Sequence, residues 1–196
     1  MKILVTAFGP FDGRSQNASS LALARLKQSQ PRINTRILPV DSVSGPARLL
    51  RALNQVRPDA LVMLGEAAGS TAIRLETTAW NQLDFSIPDA SGRQPRGVPI
   101  DPNGPDFLPA TLPLESMHAE LTLAGHDAIL SHDAGRYLCN QVMYQSLACL
   151  SKQESSCVAG FIHLPLASDY ATARAADALE IGLKCILQLI AGKRFR

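Results

Sequence analysis

The stretch Ala128-Ile129-Leu130-Ser131-His132-Asp133-Ala134-Gly135-Arg136-Tyr137-Leu138-Cys139-Asn140 leads from an apolar run through a glycine turn into a helical pattern. The apolar residues at 128–130 predict a short buried strand. After the turn, helical spacing joins four apolar residues, Val142, Met143, Leu147 and Leu150. A strand that turns directly into a helix is typical of α/β proteins.

The same alternation of strands and helices continues on both sides of this unit. Further strands are predicted at 2–7, 35–40 and 60–64, and further helices at 18–29 and 114–124. The run at 60–64 is apolar throughout, as expected for a strand that is covered on both faces of a parallel sheet. The chain has 196 residues, of which 46% are hydrophobic. We therefore predict one α/β domain spanning residues 1–196.

A proline-rich segment at about 88–113 interrupts the alternation. It contains seven of the 13 prolines and three glycines, with almost no periodic apolar pattern. Loops of this length are uncommon in compact domains, and they tend to cover active sites or to reach between subunits. We expect a long loop with one of these two roles.

Composition argues against nucleic-acid and membrane partners. Lysine and arginine number 19 against 17 aspartates and glutamates, and three of the basic residues form a tail at Lys193, Arg194 and Arg196. This balance leaves no basic surface for nucleic acid. The apolar start at 1–7 is too short for a signal peptide, and no apolar run approaches the roughly 18 residues of a membrane-spanning helix. We expect a cytoplasmic protein whose four cysteines are thiols.

Cys139 is the candidate nucleophile among these cysteines. It opens the predicted helix, where unpaired backbone N–H groups and the positive end of the helix dipole favour a thiolate, the reactive form of the side chain. Cys149 and Cys185 fall inside helical patterns, and Cys157 lies in a strand-like run. The alternative is that Cys139, like most free cysteines, is a small apolar residue of the core.

A nucleophilic thiol needs a base, and His163 and His132 are the candidates. Groups that follow the carboxyl ends of parallel strands gather at one edge of a sheet, and His163 follows an apolar, strand-like run. His132 also follows a strand, and it lies seven residues before Cys139, within reach of a folded loop. The residue pattern leaves both open, together with a purely structural role for either. His118 and His126 are expected to be surface or packing residues.

Glu76 is the candidate for orienting the imidazole. In the predicted strand at 71–78, Ile73 and Leu75 share one face while Arg74 and Glu76 share the other. The guanidinium could therefore keep the carboxylate ionised, and an ionised partner can hold the tautomer of the histidine. The alternative is a surface ion pair between Arg74 and Glu76 with no catalytic role.

Short motifs spread over nearly the whole chain share one resemblance. In the first half they are Thr6-Ala7-Phe8-Gly9-Pro10-Phe11, Asn17-Ala18-Ser19, Leu64-Gly65-Glu66-Ala67, Ile73-Arg74-Leu75-Glu76 and Ile87-Pro88-Asp89. In the second half they are Ser131-His132-Asp133-Ala134-Gly135-Arg136-Tyr137-Leu138-Cys139-Asn140 and Gly160-Phe161-Ile162-His163-Leu164-Pro165. Together they resemble the pyroglutamyl peptidase I family, also called pyrrolidone-carboxylate peptidases, which are cysteine peptidases of the C15 type.

The resemblance implies a catalytic triad of Cys139, His163 and Glu76, and it thereby favours His163 over His132. The implied activity is removal of an N-terminal pyroglutamyl residue from peptides by thiol acyl transfer, without a metal or organic cofactor. The implied fold is an α/β/α sandwich with a twisted, mostly parallel central sheet of the phosphorylase/hydrolase-like type. The family also commonly forms homo-oligomers, so a dimer or tetramer is expected.

A pocket for the pyroglutamyl ring is implied as well. By their match to the family's Phe-x-Pro-Phe pattern, Phe8 and Phe11 would flank the ring, while Ile87 and Leu138 add apolar surface. Glu66 is the remaining predicted substrate-binding residue. A small neutral ring needs hydrocarbon walls and a few hydrogen bonds rather than a counter-ion. The alternative for the two phenylalanines is that they only cap the core.

Five positions depart from the family's usual pattern. Glu66 replaces a glutamine and Ala68 a glycine, while Ser70, Thr77 and Ser86 stand where arginines are usual. An ionised glutamate accepts hydrogen bonds but cannot donate them. The alternative function is therefore a member of the family with altered specificity or without turnover, which binds peptide N-termini or a small ligand.

Overall fold

The computed structural model describes residues 1–194 of the chain. Residues 195–196 and the side chains of Lys193 and Arg194, which belong to the predicted basic tail, lie outside this description. The strands are β1 (Ile3–Phe8), β2 (Asn34–Leu38), β3 (Ala60–Glu66), β4 (Ile73–Glu76), β5 (Thr78–Trp80), β6 (Phe107–Pro109), β7 (Ala128–Ser131) and β8 (Val158–Leu164). The helices are α1 (Ala18–Ser29), α2 (Ser44–Val56), α3 (Leu114–Leu123), α4 (Leu138–Lys152) and α5 (Thr172–Arg194).

Six strands form the central sheet, in the order β2-β1-β3-β8-β4-β7. Strands β2, β1, β3 and β8 run parallel, and β4 pairs with β8 in the antiparallel direction. The edge strand β7 is parallel to β4 and therefore opposite to β8. The sheet is mostly parallel, as the sequence predicted.

Helices cover the sheet on both faces. Residues alternate along β1, so that Val5 packs with α1, α3 and α5, whereas Leu4 and Phe8 pack with α2 and α4. The predicted α/β/α sandwich is confirmed by this arrangement. None of the helices in residues 1–194 combines the length and the apolar character that crossing a membrane requires.

The predicted strand at 128–130 is confirmed as part of β7, but it is only partly buried. β7 lies at the edge of the sheet, and the side chain of Ile129 is 44% exposed. The expectation that this strand is buried was wrong, because an apolar run reports hydrophobic residues and not the position of the strand within the sheet.

The proline-rich segment forms an ordered strap over α4. Its strand β6 pairs with β5, and the hydroxyl of Tyr144 on α4 donates a hydrogen bond of 2.8 Å to the carbonyl of Pro105. Lys152, at the end of the same helix, forms an ion pair of 3.2 Å with Asp101. The segment thus holds α4 against the sheet, and the candidate nucleophile lies in the first turn of this helix.

Candidate active site

Cys139 is the second residue of α4. The residue before the helix, Tyr137, has an extended backbone and its side chain does not cap the helix. Among the hydrogen bonds of residues 1–194, none is made by the backbone N–H of Cys139. An unpaired donor therefore lies next to the sulfur.

A glycine on β3 makes room for that sulfur. A methyl group built on Gly65 would lie 2.9 Å from Sγ of Cys139 and 2.7 Å from Cζ of Phe161, much closer than real contacts allow. Only a residue without a side chain lets the start of α4 approach the sheet at this point. Because Gly65 is the partner of His163 in the β3–β8 register, the sulfur is placed beside the imidazole.

His163 and Glu76 meet across the antiparallel pair of β8 and β4. His163 lies opposite Arg74 and Glu76 lies opposite Phe161, so that all four side chains share the face of the sheet that α4 covers. Nδ1 of His163 is 2.9 Å from Oε1 of Glu76. The Glu76 side chain is fully buried.

Arg74 donates to the same oxygen of the carboxylate as His163. Its Nε donates to Oε1 of Glu76 at 3.1 Å, while Nη2 donates to Oγ of Ser131 at 2.8 Å and to the carbonyl of Asp133 at 2.9 Å. The ion pair of the alternative interpretation does form, but it is not a surface pair, because Glu76 is buried. Arg74 instead links the carboxylate to the loop that leads into Cys139.

The charges of Cys139, His163 and Glu76, here called the catalytic cluster, stabilise one another. Burial opposes the charged imidazole, but the negative charge of Cys139 and Glu76 and their hydrogen bonds raise the pKa of His163 to about 9. Burial alone would likewise raise the pKa of Glu76, yet hydrogen bonds and charge from His163, with a hydrogen bond from Arg74, hold that pKa below its usual value. The arrangement thus favours an imidazolium beside an ionised carboxylate.

The other histidines lie elsewhere. His132 is exposed, and its Nδ1 is 2.7 Å from Oγ1 of Thr77. His118 contacts the carbonyl of Ala128 through Nε2, and His126 is buried with Nδ1 against the hydroxyl of Tyr170. Both are packing residues.

A cleft of about 350 Å³ opens beside the sulfur. Its walls include Cys139 and all five predicted substrate-binding residues, Phe8, Phe11, Glu66, Ile87 and Leu138. Two of the departing positions, Ala68 and Ser86, also line it. Thr77 instead binds His132 and Ser70 binds the carbonyl of Ala72, so neither is part of the walls.

Glu66 forms an ion pair with Arg14 at the end of β3. Oε1 of Glu66 accepts a hydrogen bond from Nη1 of Arg14, and Oε2 accepts the N–H of Ala18 at 2.7 Å. Arg14 also lines the cleft. Sequence reasoning missed this partner, because the two residues are 52 positions apart.

Three further residues of the site were missed. Tyr137 lines the cleft and packs against Phe85, with ring centroids 4.4 Å apart. Asp89 accepts hydrogen bonds from the backbone N–H groups of Ser42, Ser91 and Arg93, and so fixes the segment that presents Ile87. Asn140, next to the sulfur, binds the backbone of the Trp80 and Gln82 segment through three hydrogen bonds of 2.7 to 3.0 Å. Asp89 and Asn140 lie inside motifs that carry the resemblance to the family. Their roles were missed because most of their hydrogen-bond partners are distant in the chain.

The strand-end argument for bringing the sulfur and the imidazole together holds only in part. Phe8, Glu66 and His163 lie at or near the carboxyl ends of parallel strands. Strand β7, however, ends at the opposite edge, and residues 132–137 lead the chain back to the cleft before α4 begins. Glu76 reaches His163 across an antiparallel pair, an arrangement that a purely parallel sheet does not offer.

Comparisons with known proteins agree with one family. The model of the family described as pyroglutamyl peptidase, Peptidase_C15, matches residues 1–188. Pyrrolidone-carboxylate peptidase 1 of Caldanaerobacter subterraneus subsp. tengcongensis is 38% identical over 167 residues, which cover 84% of this chain and 82% of that one. The pyrrolidone-carboxylate peptidase of Brevibacillus brevis is 34% identical over 189 residues, 95% of this chain and 87% of its own.

Solved structures agree as well. The pyrrolidone carboxyl peptidase of Thermococcus litoralis has a TM-score of 0.93 and 30% sequence identity, with 98% of this chain and 96% of that chain covered. Pyroglutamyl peptidase I of Bacillus amyloliquefaciens has a TM-score of 0.88 and 30% identity, with 92% and 94% covered. The present chain thus belongs to the pyroglutamyl peptidase family and is a cysteine peptidase.

Proposed function

We propose that this protein removes an N-terminal pyroglutamyl residue from peptides, with Cys139 as nucleophile, His163 as acid and base, and Glu76 as the residue that orients His163. The observation that carries the proposal is the hydrogen-bonded arrangement of Glu76 and His163 beside Cys139 at the wall of a cleft. Family membership supplies the substrate class.

The residues of the cluster suffice for acyl transfer. The thiolate of Cys139 forms a bond to the carbonyl carbon that joins the lactam residue to the next amino acid, and the C–N bond then breaks as His163 gives its proton to the departing amine. Water next attacks the thioester while His163 takes up a proton. The C–S bond breaks and pyroglutamate leaves.

The unpaired N–H of Cys139 is the proposed donor to the oxyanion. It lies at the start of α4, where the helix dipole adds to the attraction for developing negative charge. The apolar side chains of Phe8, Phe11, Ile87 and Leu138 are proposed to hold the lactam ring, since all four line the cleft.

Release of a fluorescent amine from its pyroglutamyl amide tests the proposal. We expect turnover by the unmodified protein and none by Cys139→Ala, with Cys149→Ala as a matched control that retains activity. His163→Ala should remove turnover and His132→Ala should not. A protein that binds the amide without releasing the amine would instead be a binding scaffold.

We further propose that the protein acts in the cytoplasm as a homo-oligomer, a dimer or a tetramer. The resemblance to the family supports this assembly. The exposed apolar residues Ile37 and Ile129 on the two edge strands, β2 and β7, offer surfaces for self-association. Sedimentation velocity should show a species larger than a monomer, and a monomer at every concentration would contradict the proposal.

A further inference from the structure

Both residues of the ion pair between Arg14 and Glu66 line the cleft. Arg14 belongs to the loop 9–17 between β1 and α1, and Glu66 is the last residue of β3. The Arg14 side chain is 42% exposed and that of Glu66 is 11% exposed. Of the described residues that line the cleft, Arg14 is the one cation.

Both members of the pair retain hydrogen-bonding capacity. A guanidinium has five N–H donors, and of these only one on Nη1 is bound to Glu66; within residues 1–194 the others bind no protein atom. Each carboxylate oxygen of Glu66 accepts one hydrogen bond, from Arg14 or from the N–H of Ala18, and can accept a second. The pair therefore presents donors and acceptors side by side.

A five-membered lactam has the complementary edge. Ring closure fixes its amide in the cis form, so that the N–H and the carbonyl oxygen point to the same side. A carboxylate alone could accept from the N–H, but its charge would repel the carbonyl oxygen beside it. The neighbouring guanidinium removes this conflict, because it donates to the carbonyl and leaves the pair electrically neutral.

We propose that Arg14 is a specificity-determining residue that recognises the lactam together with Glu66: Glu66 accepts from the lactam N–H, and Arg14 donates to the lactam carbonyl. This inference rests on the proposed function, since it assigns the lactam of the substrate to this cleft. It also accounts for a carboxylate in a cleft that takes a neutral ring.

The proposal predicts that a glutamine at position 66 can take over the function of Arg14. A glutamine at 66 both donates and accepts, so it presents both groups without a guanidinium. Arg14→Gln should weaken lactam binding about tenfold or more, because it removes a charge-assisted donor and leaves Glu66 without its ion-pair partner. The double variant Arg14→Gln/Glu66→Gln should bind the lactam better than Arg14→Gln alone, and Arg14→Lys should retain part of the affinity.

Protection of Cys139 from iodoacetamide measures binding without turnover. The probes are 2-pyrrolidone, which has both groups, and N-methyl-2-pyrrolidone, which lacks the N–H donor. The extent of alkylation at Cys139 is read by mass spectrometry, and its rate without probe shows whether each variant keeps the site intact. We expect 2-pyrrolidone to protect the unmodified protein more strongly than N-methyl-2-pyrrolidone, because only 2-pyrrolidone has an N–H for Glu66. In Arg14→Gln we expect the protection by 2-pyrrolidone itself to weaken about tenfold or more, because the donor to the carbonyl is lost.

Equal protection by the two probes in the unmodified protein would overturn the role of Glu66. The role of Arg14 would be overturned if 2-pyrrolidone protected Cys139 equally in Arg14→Gln and in the unmodified protein. It would also be overturned if the double variant bound 2-pyrrolidone no more tightly than Arg14→Gln. Protection without release of amine from a pyroglutamyl amide would reject the peptidase and leave lactam recognition standing. Release of amine at the same rate by Arg14→Gln and by the unmodified protein would reject the role of Arg14 in lactam recognition and leave the peptidase activity standing.

Discussion

At the scale of single residues, the proposed chemistry depends on a carboxylate that water does not reach. Glu76 is fully buried, and its Oε1 accepts hydrogen bonds from both His163 and Arg74. A buried charge is tolerated only with partners of this kind. The same oxygen therefore orients the imidazole and favours its protonated form.

Replacement of Glu76 by glutamine should lower kcat/KM by about a hundred- to ten-thousandfold, because an amide can still meet Nδ1 but has no charge to stabilise the imidazolium. The raised pKa of His163, about 9, also predicts that activity falls as pH rises through about 9, when the proton for the leaving amine is lost. In Glu76→Gln this fall should move to lower pH. A pH profile of kcat/KM measures both effects.

The exposed Glu115 on α3 provides the matched control. Glu115→Gln removes the same charge from the surface and should leave the rate and the position of the alkaline limb unchanged. An alkaline limb that stays at the same pH in Glu76→Gln would contradict the coupling of Glu76 to His163.

Gly65→Ala should reduce activity by displacing the sulfur, and it should destabilise the protein by about 1–3 kcal/mol through overpacking. The added methyl group meets both Cys139 and Phe161 at distances that require something to shift. Kinetics and urea unfolding measure the two effects. Gly192→Ala is the control, since a methyl group there meets nothing within 4 Å and alanine is favoured in a helix.

At the scale of elements, the start of α4 is positioned by contacts outside the helix. Asn140 is fully buried; it accepts the N–H of Trp80 and donates to the carbonyls of Trp80 and Gln82. Every hydrogen-bonding group of this amide except one acceptor site is thus engaged with strand β5 and the residues after it. The neighbouring Cys139 is held over Gly65 as a consequence.

Asn140→Asp should lower the free energy of unfolding by about 2–4 kcal/mol, since a carboxylate would face two carbonyl oxygens in a buried site. It should also slow the alkylation of Cys139 if the start of α4 moves. Asn103→Asp is the control, because Asn103 is exposed. Unchanged stability of Asn140→Asp in urea unfolding would show that Asn140 does not fix the helix.

Most helices and strands could be predicted from periodicity, but the order and direction of the strands in the sheet could not. The helix after Cys139 and the strand at 60–64 follow from the spacing of apolar residues, because that spacing reports which face is buried. β7 is equally apolar, but it lies at the edge of the sheet and opposite in direction to β8. Strand order and direction depend on pairings between distant residues, which a local pattern does not contain.

At the scale of the whole molecule, the site joins segments from nearly the full length of the chain. Phe8 comes from β1, Glu76 from β4, Cys139 from α4 and His163 from β8. Resemblance indicated these residues because their motifs are locally recognisable. The pair of Arg14 and Glu66 was not predicted. Glu66 departs from the usual glutamine of its motif, and its partner Arg14 comes close to it only in the folded chain.

The folded protein should lose stability as pH rises from about 6.5 to about 9. His163 has its pKa raised to about 9 in the folded state from a reference of 6.5, so the folded state binds more protons in this range than the unfolded state. The contribution of His163 is fully present below pH 6.5 and is lost above pH 9. Urea unfolding across this range should show a smaller decrease in His163→Gln than in the unmodified protein. An equal decrease would contradict the raised pKa.

The proposed reaction requires that the sulfur of Cys139 takes the pyroglutamyl group from the substrate. It is tested most directly by acid quenching of the protein during turnover of a pyroglutamyl amide, followed by digestion and mass spectrometry of the peptide that contains Cys139. We predict a pyroglutamyl group on Cys139 that is absent from the other three cysteines. Steady turnover with Cys139 unmodified, and undiminished in Cys139→Ala, would show that Cys139 is not the nucleophile.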